Sequence, residues 1–372
     1  GLLGPLRRTT EAFPDIKILA FFDNVHVAAQ DPNRAIEASE FLDKEAAKVG
    51  LVARPEKSAL LFMTDNALPE QAAAYCREKG IPVEREAAVV LGAPVGRNAD
   101  LMKQILATTL KRHDRFFETV HDQQLPPQES MLLLSRSGVP RIRYLMRCVR
   151  PELLTEVARE FDSRVMAAAC AKLRIRPDAS TQMAREQLKL PVRLSGWGLR
   201  PAEHTLHFAF FGALAASSVL LRKLFPAGLP VAFAASVAAS WANITSRLNP
   251  RGDTPVEVLP DRPDETLEFY RRDRDAASKL QRVLTAMWEE SVSRALKLRD
   301  EATQDDVRRL DSLAEQMSGA WVATIPCTSR LSINDRLYRL AARLRLGLPP
   351  ADHMPERCAC GANLANGNWM MM

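Results

Sequence analysis

The chain has 372 residues, of which 51 are Lys or Arg and 45 are Asp or Glu, so its formal net charge is +6. With 47% hydrophobic and 26% charged residues, the composition excludes a globally disordered or fibrous chain, and the length predicts two to three domains. Six scattered cysteines argue against a disulfide-rich secreted fold. The chain starts at Gly1 without the apolar core of a signal peptide, so we expect a fragment or the tail of a longer protein.

The first 97 residues predict an α+β region. Two β-rich runs within 15–29 flank Asp23 and Asn24, which is the pattern of a β-hairpin. Asp31 and Pro32 then predict the start of a helix that ends at Gly50. This region is completed by a helix over 69–79 and by short strands at 58–62, 81–83 and 87–91.

The residues after Asn98 predict a mostly α-helical region. Apolar residues recur there at helical spacing, and prolines and glycines separate the segments. Two polar breaks, 122–128 and 249–264, predict linkers. The predicted helices cover 101–120, 128–136, 140–149, 152–173, 201–225, 230–247, 265–302, 305–317 and 333–346.

One stretch, 206–243, is apolar enough to suggest a membrane hairpin. Arg222 and Lys223 divide it, and two prolines fall in its second half. Many of its residues are Ala or Ser, which contribute little free energy of transfer into a bilayer. We therefore expect no membrane contact and keep a membrane-associated helical protein as an alternative.

The predicted hairpin at 15–29 carries Asp23 at its tip. A tight turn between two strands exposes a carboxylate and holds it rigidly, which suits an oxygen ligand of Mg²⁺. The alternative is structural, because Asp and Asn tolerate the positive φ that two-residue hairpin turns require.

The order of segments along the chain resembles one protein family. Phe21-Phe22-Asp23-Asn24 resembles the aromatic-x-Asp-Asp box of reverse transcriptases. The segment GLVARPEKSALLF is similar to the GL…P.KS segment of non-LTR retrotransposon reverse transcriptases, and VVLGAPVG is similar to their primer-grip hairpin. Four later segments are similar to ones that recur downstream of the polymerase core in that family: RYLMRCVRPE, LPVRLSGWGLRPAEH, SGAWVATIP and RLRLGLPPADHMPERCACG.

The resemblance covers nearly the whole chain and implies a division into segments. It implies a partial polymerase palm with β-hairpins over 1–97, followed by a mostly α-helical thumb and connector. The expected segments are a thumb-like region at 98–200, an apolar helical pair at 201–248, a linker at 249–264, a helical connector at 265–350 and a degenerate zinc-knuckle-like tail at 351–372.

The resemblance also implies roles for five residues of the palm. Asp23 would hold catalytic Mg²⁺, with Asn24 at the position of the second carboxylate, and Lys57 would lie near the nucleotide phosphates. Leu91 and Gly92 would form the turn of the primer grip. The alternatives are a solvated surface lysine and an ordinary glycine in a strand turn.

The chain departs from the family pattern at the metal site. Asn24 is a neutral amide where the family has a second carboxylate. A third metal-binding aspartate and a Gln-Gly loop would belong upstream of Gly1. Because two cations about 4 Å apart need clustered negative charge, we expect this chain to be catalytically incomplete by itself.

An arginine-rich segment follows in the predicted thumb. If Pro140 starts a helix, Arg143, Arg147 and Arg150 would share one face, suited to the phosphates of a template–primer duplex. The alternative is a solvated helix face that pairs with nearby glutamates. The candidate nucleic-acid-binding residues are Arg136, Arg141, Arg143, Arg147 and Arg150.

Two shorter motifs are less specific for a ligand site. Gly196 and Gly198 flank Trp197 and allow a backbone phosphate nest, although we favour a turn with a packed tryptophan. Cys358 and Cys360 begin a zinc-knuckle-like pattern, but no His and Cys follow at the usual spacing. With His353 as a third ligand the zinc site would be poor, so a truncated or decayed knuckle is the simpler interpretation.

The resemblance therefore implies a C-terminal fragment of a non-LTR retrotransposon reverse transcriptase, an RNA-directed DNA polymerase. Its partners would be an RNA template and a DNA primer or target DNA, with Mg²⁺ as cofactor and the nucleus as location. The alternative from another class is a non-catalytic nucleic-acid-binding protein from the same family. The sequence does not indicate an oligomeric state.

Overall fold

Three separate two-stranded sheets and seventeen helices make up the part of the chain that the computed structural model describes, residues 1–249 and 256–350. The chain divides into two units, Gly1–Ile105 and a second that begins at Leu106. All the strands lie in the first unit, and the second is helical. The described residues thus have the predicted order, an α+β region followed by an α-helical one.

The first unit alternates short strands with helices. Its helices are α1 Leu3–Ala12, α2 Pro32–Ala47 and α3 Glu70–Lys79. Helix α4, Ala99–Lys111, begins in the first unit and ends in the second. Its strands are β1 Lys17–Phe21, β2 Asn24–Ala28, β3 Leu60–Leu61, β4 Val83–Glu84, β5 Ala87–Val90 and β6 Ala93–Gly96. β1 pairs with β2 and β5 with β6 as antiparallel hairpins, whereas β3 and β4 are parallel.

The β1–β2 hairpin has one packed face. Ile18 and Val27, which are directly opposite each other, contact a small cluster of Phe13, Ile16 and Ala38. The start of α2 is as predicted: the Asp31 side chain accepts a hydrogen bond from the Asn33 backbone N–H at 3.0 Å, and Pro32 occupies the first helical position. Helix α1 was not predicted, because no side chain caps its start.

The second unit is built from thirteen helices within the described residues. They are α5 Asp114–His121, α6 Pro127–Leu133, α7 Arg143–Cys148, α8 Pro151–Leu173, α9 Gln182–Lys189, α10 Ala202–Ala216, α11 Ser218–Leu224, α12 Val231–Leu248, α13 Thr266–Arg272, α14 Arg274–Lys297, α15 Gln304–Ala314, α16 Ala320–Ala323 and α17 Asp335–Arg345. Between α6 and α7 the chain forms a π-helical segment, Leu134–Gly138, and then a 3-10 turn, Val139–Ile142.

Three of the long predicted helices are each two shorter helices. The predicted helix 101–120 breaks between α4 and α5, and 201–225 bends by 66° between α10 and α11. The predicted helix 265–302 breaks at Asp273, whose side chain accepts a hydrogen bond from the Ala276 backbone N–H at 2.9 Å and so starts α14. Capping of this kind competes with continuation of the preceding helix. Helices α9 and α16 were not predicted.

Helix α10 lies in the core of the second unit. Phe208 and Phe211 are fully buried against Leu280 and Leu284 of α14 and against Tyr270 of α13. No single helix of the described residues is long and apolar enough to cross a membrane. The bent pair of α10 and α11 passes that test only by length and composition.

Both predicted linkers contain packed residues. Lys172, which is 5% exposed, donates hydrogen bonds to the carbonyl oxygens of Asp122 and of Leu125, and thereby holds the segment 122–125. In the described part of the second linker, Val256 and Leu259 are buried in the core of the unit. The predicted tail, 351–372, with Cys358, Cys360 and His353, lies outside the described residues.

Candidate functional site

The tip of the β1–β2 hairpin is a two-residue turn formed by Phe22 and Asp23. Phe21 pairs with Asn24, so Asn24 is the first residue of β2 and not part of the turn. Phe22 has a φ of 55° and is 86% exposed. A bulky side chain in this left-handed conformation costs about 1–2 kcal/mol, so the turn holds Asp23 at the tip at the expense of backbone strain.

The described residues do not provide a ligand set for a pair of Mg²⁺ ions. The Asp23 carboxylate is exposed and accepts a 3.4 Å hydrogen bond from the Asn24 amide. No group of three or more His, Cys, Asp or Glu side chains is placed to hold a metal ion anywhere in residues 1–249 and 256–350. One carboxylate beside a neutral amide therefore does not fit two-metal chemistry.

The other palm residues occupy turns of the first unit. Lys57 is exposed at the end of the 3-10 turn Pro55–Lys57. Leu91 and Gly92, with φ of 49° and 83°, form the two-residue turn between β5 and β6, at the position predicted for a primer grip. The β1–β2 and β5–β6 hairpins belong to different sheets, so strand pairing does not bring these turns together.

The arginine-rich segment differs from the single helix face that we predicted. Helix α7 ends at Cys148, and Val149 is extended. Arg143 and Arg147 therefore share a face of α7, whereas Arg150 precedes α8 and pairs with Glu152 at 3.3 Å. Arg136 lies in the π-helical segment and Arg141 in the 3-10 turn. The prediction that Arg150 joins the face of Arg143 and Arg147 was wrong, because Val149 is extended and Arg150, which directly precedes Pro151, is kept out of the α conformation.

This segment carries an uncompensated positive charge. No Asp or Glu occurs between Glu129 and Glu152. Burial of its guanidinium, together with the nearby charge of Arg200, lowers the pKa of Arg143. Within the described part of the chain, four of its arginines form no ion pair with a carboxylate: Arg136, Arg141, Arg143 and Arg147. The alternative of a face that pairs with glutamates therefore fails for these four.

The Gly-Trp-Gly motif is not a phosphate nest. The backbone N–H groups of Gly196 and Gly198 donate to the carbonyl oxygens of Pro191 and Leu190 at 3.1 and 2.7 Å, so they are not directed at a ligand. Trp197 is 2% exposed. The packed turn that we favoured from the sequence is confirmed.

Trp197 is the centre of a cluster to which three distant segments contribute. Its indole Nε1–H donates to the Tyr338 hydroxyl at 3.3 Å, and its ring meets Trp321 edge to face at 5.8 Å. The Arg345 guanidinium lies 5.5 Å from the centre of the Trp197 ring. Gly196 permits the close packing of this turn against Leu190, since a Cβ there would be 1.9 Å from the Leu190 carbonyl oxygen. We call Trp197, Trp321, Tyr338 and Arg345 the tryptophan cluster.

A buried carboxylate links α14 to the chain before α10. Glu289 of α14 is 2% exposed and accepts from Arg193 at 3.2 Å and from Arg200. Both arginine side chains are partly exposed, so they reach the carboxylate from the solvent side. Arg200 thereby lies both in this ion-pair network and near Arg143 of the basic segment.

Asp162 of α8 caps the start of α10. Its two carboxylate oxygens accept from the backbone N–H groups of Ala202 and Glu203 at 2.7 and 2.9 Å. Burial raises the pKa of Asp162 to about 6, although these two hydrogen bonds act in the opposite direction. This contact could not be predicted from the sequence, because the cap and the helix are 40 residues apart.

The raised pKa of Asp162 predicts a pH-dependent stability. The native state binds the proton more tightly than the unfolded chain, so this group favours folding at pH 4 and loses that contribution, up to about 3 kcal/mol, as the pH rises through 6. The free energy of unfolding is measured by urea denaturation for the Asp162→Asn variant and for the unaltered chain. We expect the value for the variant minus the value for the unaltered chain to increase from pH 4 to pH 7.

The matched control for this experiment is Asp178→Asn. A hydrogen bond from Ser180 lowers the pKa of Asp178, so the contribution of this group to stability changes mainly below pH 4, and its substitution should leave the pH dependence between pH 4 and 7 nearly unchanged. A stability difference between the Asp162→Asn chain and the unaltered chain that is constant from pH 4 to 7 would contradict the prediction.

Comparisons with known proteins point to a retrotransposon protein. The chain is 25% identical over 209 residues to the retrotransposable element SLACS 132 kDa protein of Trypanosoma brucei gambiense. The match covers 56% of this chain and 16% of the trypanosome protein. No protein-family model and no solved structure matches the chain. The sequence is therefore similar to part of a retrotransposon protein.

Proposed function

We propose that this chain comprises the end of the palm, the thumb and the connector of a retrotransposon reverse transcriptase. We propose further that its own activity is to bind nucleic acid. The observation that carries the proposal is the basic segment 134–150, which has five arginines and no acid. Phosphate groups of RNA or DNA are the ligands that such a surface attracts. Its partners would be an RNA template and a DNA primer or target DNA, in the nucleus.

The proposal also accounts for the hairpin of the first unit. The Phe22-Asp23 and Leu91-Gly92 turns support the proposal, because they are hairpin turns at the two places where the resemblance implies palm hairpins. The similarity to a retrotransposon protein supports the same family. Because the described carboxylates do not fit a pair of Mg²⁺ ions, we assign no nucleotidyl transfer to this chain alone, and zinc binding by Cys358 and Cys360 stays a proposal.

The test is equilibrium binding of a recessed RNA–DNA template–primer, followed by fluorescence anisotropy over a range of salt concentrations. Arg143 and Arg147 lack acidic partners among the described residues, so each is available to neutralise a phosphate. We expect Arg143→Ala/Arg147→Ala to weaken binding and to reduce the slope of log K against log salt by about 2.

Arg271→Ala/Arg308→Ala serves as the control. These two arginines are exposed in the same unit, but each pairs with an acidic residue of its own helix, Glu268 and Asp305. The control variant should retain the slope of the unaltered chain. Equal slopes for all three proteins would show that the basic segment does not bind the phosphates.

A further inference from the structure

The exposed residues of the basic segment form a stripe that contains an aromatic ring. Arg141, Tyr144 and Arg147 are spaced by three residues, and all three are exposed, whereas Ile142 and Leu145 between them are buried. Because residues three apart are neighbours on a helical surface, Tyr144 has one arginine about a turn before it and another about a turn after it. We call Arg141, Tyr144 and Arg147 the Tyr144 stripe.

Tyr144 is unusually exposed for this protein. Its residue surface is 46% exposed, while Tyr270 and Tyr338 are 1% and 0% exposed. Its side chain is hydrogen-bonded to Cys148, one turn further along α7, which restricts the ring on the surface of the helix. An aromatic ring that is held in place and half in solvent is available for a flat ligand.

The arginine that precedes Tyr144 in the stripe is also held in place. The guanidinium of Arg141 stacks on the Phe116 ring of α5, 4.2 Å from its centre. A Cβ on Gly138 would lie 3.1 Å from the same ring, so the π-helical segment packs closely against Phe116. π-helical turns occur often at functional sites. Here the π-helical segment contacts Phe116 just before Arg141, the first residue of the Tyr144 stripe.

The charge around the ring selects the kind of ligand. Arg143 is the chain neighbour of Tyr144 and lies near Arg200, so Tyr144 belongs to a segment that carries arginines and no acids. Duplex phosphates would satisfy these arginines but would leave the tyrosine without a function, since paired bases are stacked inside the helix. Unpaired nucleotides offer both phosphates for the arginines and base faces for the ring.

Building on the proposed function, we propose that the Tyr144 stripe binds a single-stranded segment of RNA or DNA, with one unpaired base stacked on Tyr144 and flanking phosphates on Arg141 and Arg147. Such stacking accepts every base, because each base has a π-face. The stripe would therefore hold the unpaired part of a nucleic acid without reading its sequence.

The experiment measures fluorescence anisotropy of single-stranded DNA, of single-stranded RNA and of a blunt DNA duplex with the unaltered chain, Tyr144→Ala and Tyr144→Phe. We expect Tyr144→Ala to weaken single-strand binding at least about fivefold, with an unchanged salt slope because no phosphate contact is lost. Tyr144→Phe keeps the ring but loses its hydrogen bond to Cys148, so it should bind single strands much more tightly than Tyr144→Ala. Duplex affinity should change less than about twofold for both variants.

Abasic single strands of the same length separate stacking from charge. The unaltered chain should bind abasic strands more weakly than base-bearing ones, and Tyr144→Ala should not distinguish them. Whichever of RNA and DNA shows this difference is identified as the ligand. Equal binding of single strands by Tyr144→Ala and the unaltered chain would overturn the inference.

The Arg147→Ala variant distinguishes failure of this inference from failure of the proposed function. If Arg147→Ala weakens binding while Tyr144→Ala does not, the basic segment binds phosphate and the stacking proposal is wrong. If neither substitution affects binding of any probe, the proposed function itself is wrong. Because both side chains are exposed, neither substitution is expected to disturb folding.

Discussion

Replacing Trp197 with alanine is expected to lower the free energy of unfolding of the second unit by about 3–5 kcal/mol. The indole is 2% exposed and is enclosed by Trp321, Tyr338 and Arg345. Its removal leaves a cavity that the surrounding helices fill only in part, and it also leaves the Arg345 guanidinium without the ring on which it lies. Urea denaturation followed by circular dichroism measures this loss.

Tyr338→Phe is the matched control for this experiment. It removes only the hydroxyl that accepts the hydrogen bond of Trp197, so a loss of about 1 kcal/mol is expected. The expected loss is a large share of the free energy of unfolding of an ordinary domain, which is about 5–15 kcal/mol in total. A loss of less than 1 kcal/mol for Trp197→Ala would therefore contradict the central position of this residue.

Replacing both Arg193 and Arg200 with methionine is expected to destabilise the second unit by about 3–5 kcal/mol. Glu289 would keep its buried position and would lose both cations that compensate its charge. The cost arises from the carboxylate that is left behind more than from the ion pairs themselves. It is measured in urea, since guanidinium salts would screen the charges.

The triple variant with Glu289→Met distinguishes these two sources of the cost. Once the buried carboxylate is also replaced by an apolar side chain, most of the lost stability should return, because apolar groups need no counter-charge. If the triple variant were as unstable as the double variant, the arginines would stabilise the fold by packing and not through the charge of Glu289.

Local features of the fold could be predicted from the sequence. The β1–β2 hairpin follows from two β-rich runs around a short turn, and the start of α2 follows from Asp31 and Pro32. Helix α8 was predicted to within one residue of its start, because Pro151 fixes its first turn. Each of these signals lies within a few residues of the feature that it determines.

Features that depend on distant residues could not be predicted. Trp197 and Tyr338 are 141 positions apart, and no pattern in one sequence relates them. Their surroundings nevertheless bring together three of the segments that carry the resemblance, LSGWGLRP, SGAWVATIP and RLRLGLPP. These three segments, which are far apart in the sequence, therefore contribute to one packed cluster.

The candidate site was predicted in composition but not in geometry. The arginines of 134–150 were evident from the sequence, whereas their arrangement depends on the π-helical segment and on the end of α7 at Cys148. The π-helical segment packs closely against Phe116 at Gly138, whereas α7 ends where the chain leaves the helical conformation before Pro151. Tyr144 lies among these arginines in the sequence, but only its exposure in the structure suggests a function.

The salt dependence of binding by the unaltered chain tests the central claim most directly. The claim is that this chain binds nucleic acid through arginines that lack acidic partners. We expect log K for a template–primer to fall linearly with log salt, with a slope of about −2 or steeper, since Arg143 and Arg147 alone would neutralise two phosphates. Binding that does not change with salt, or no binding at low salt, would contradict it.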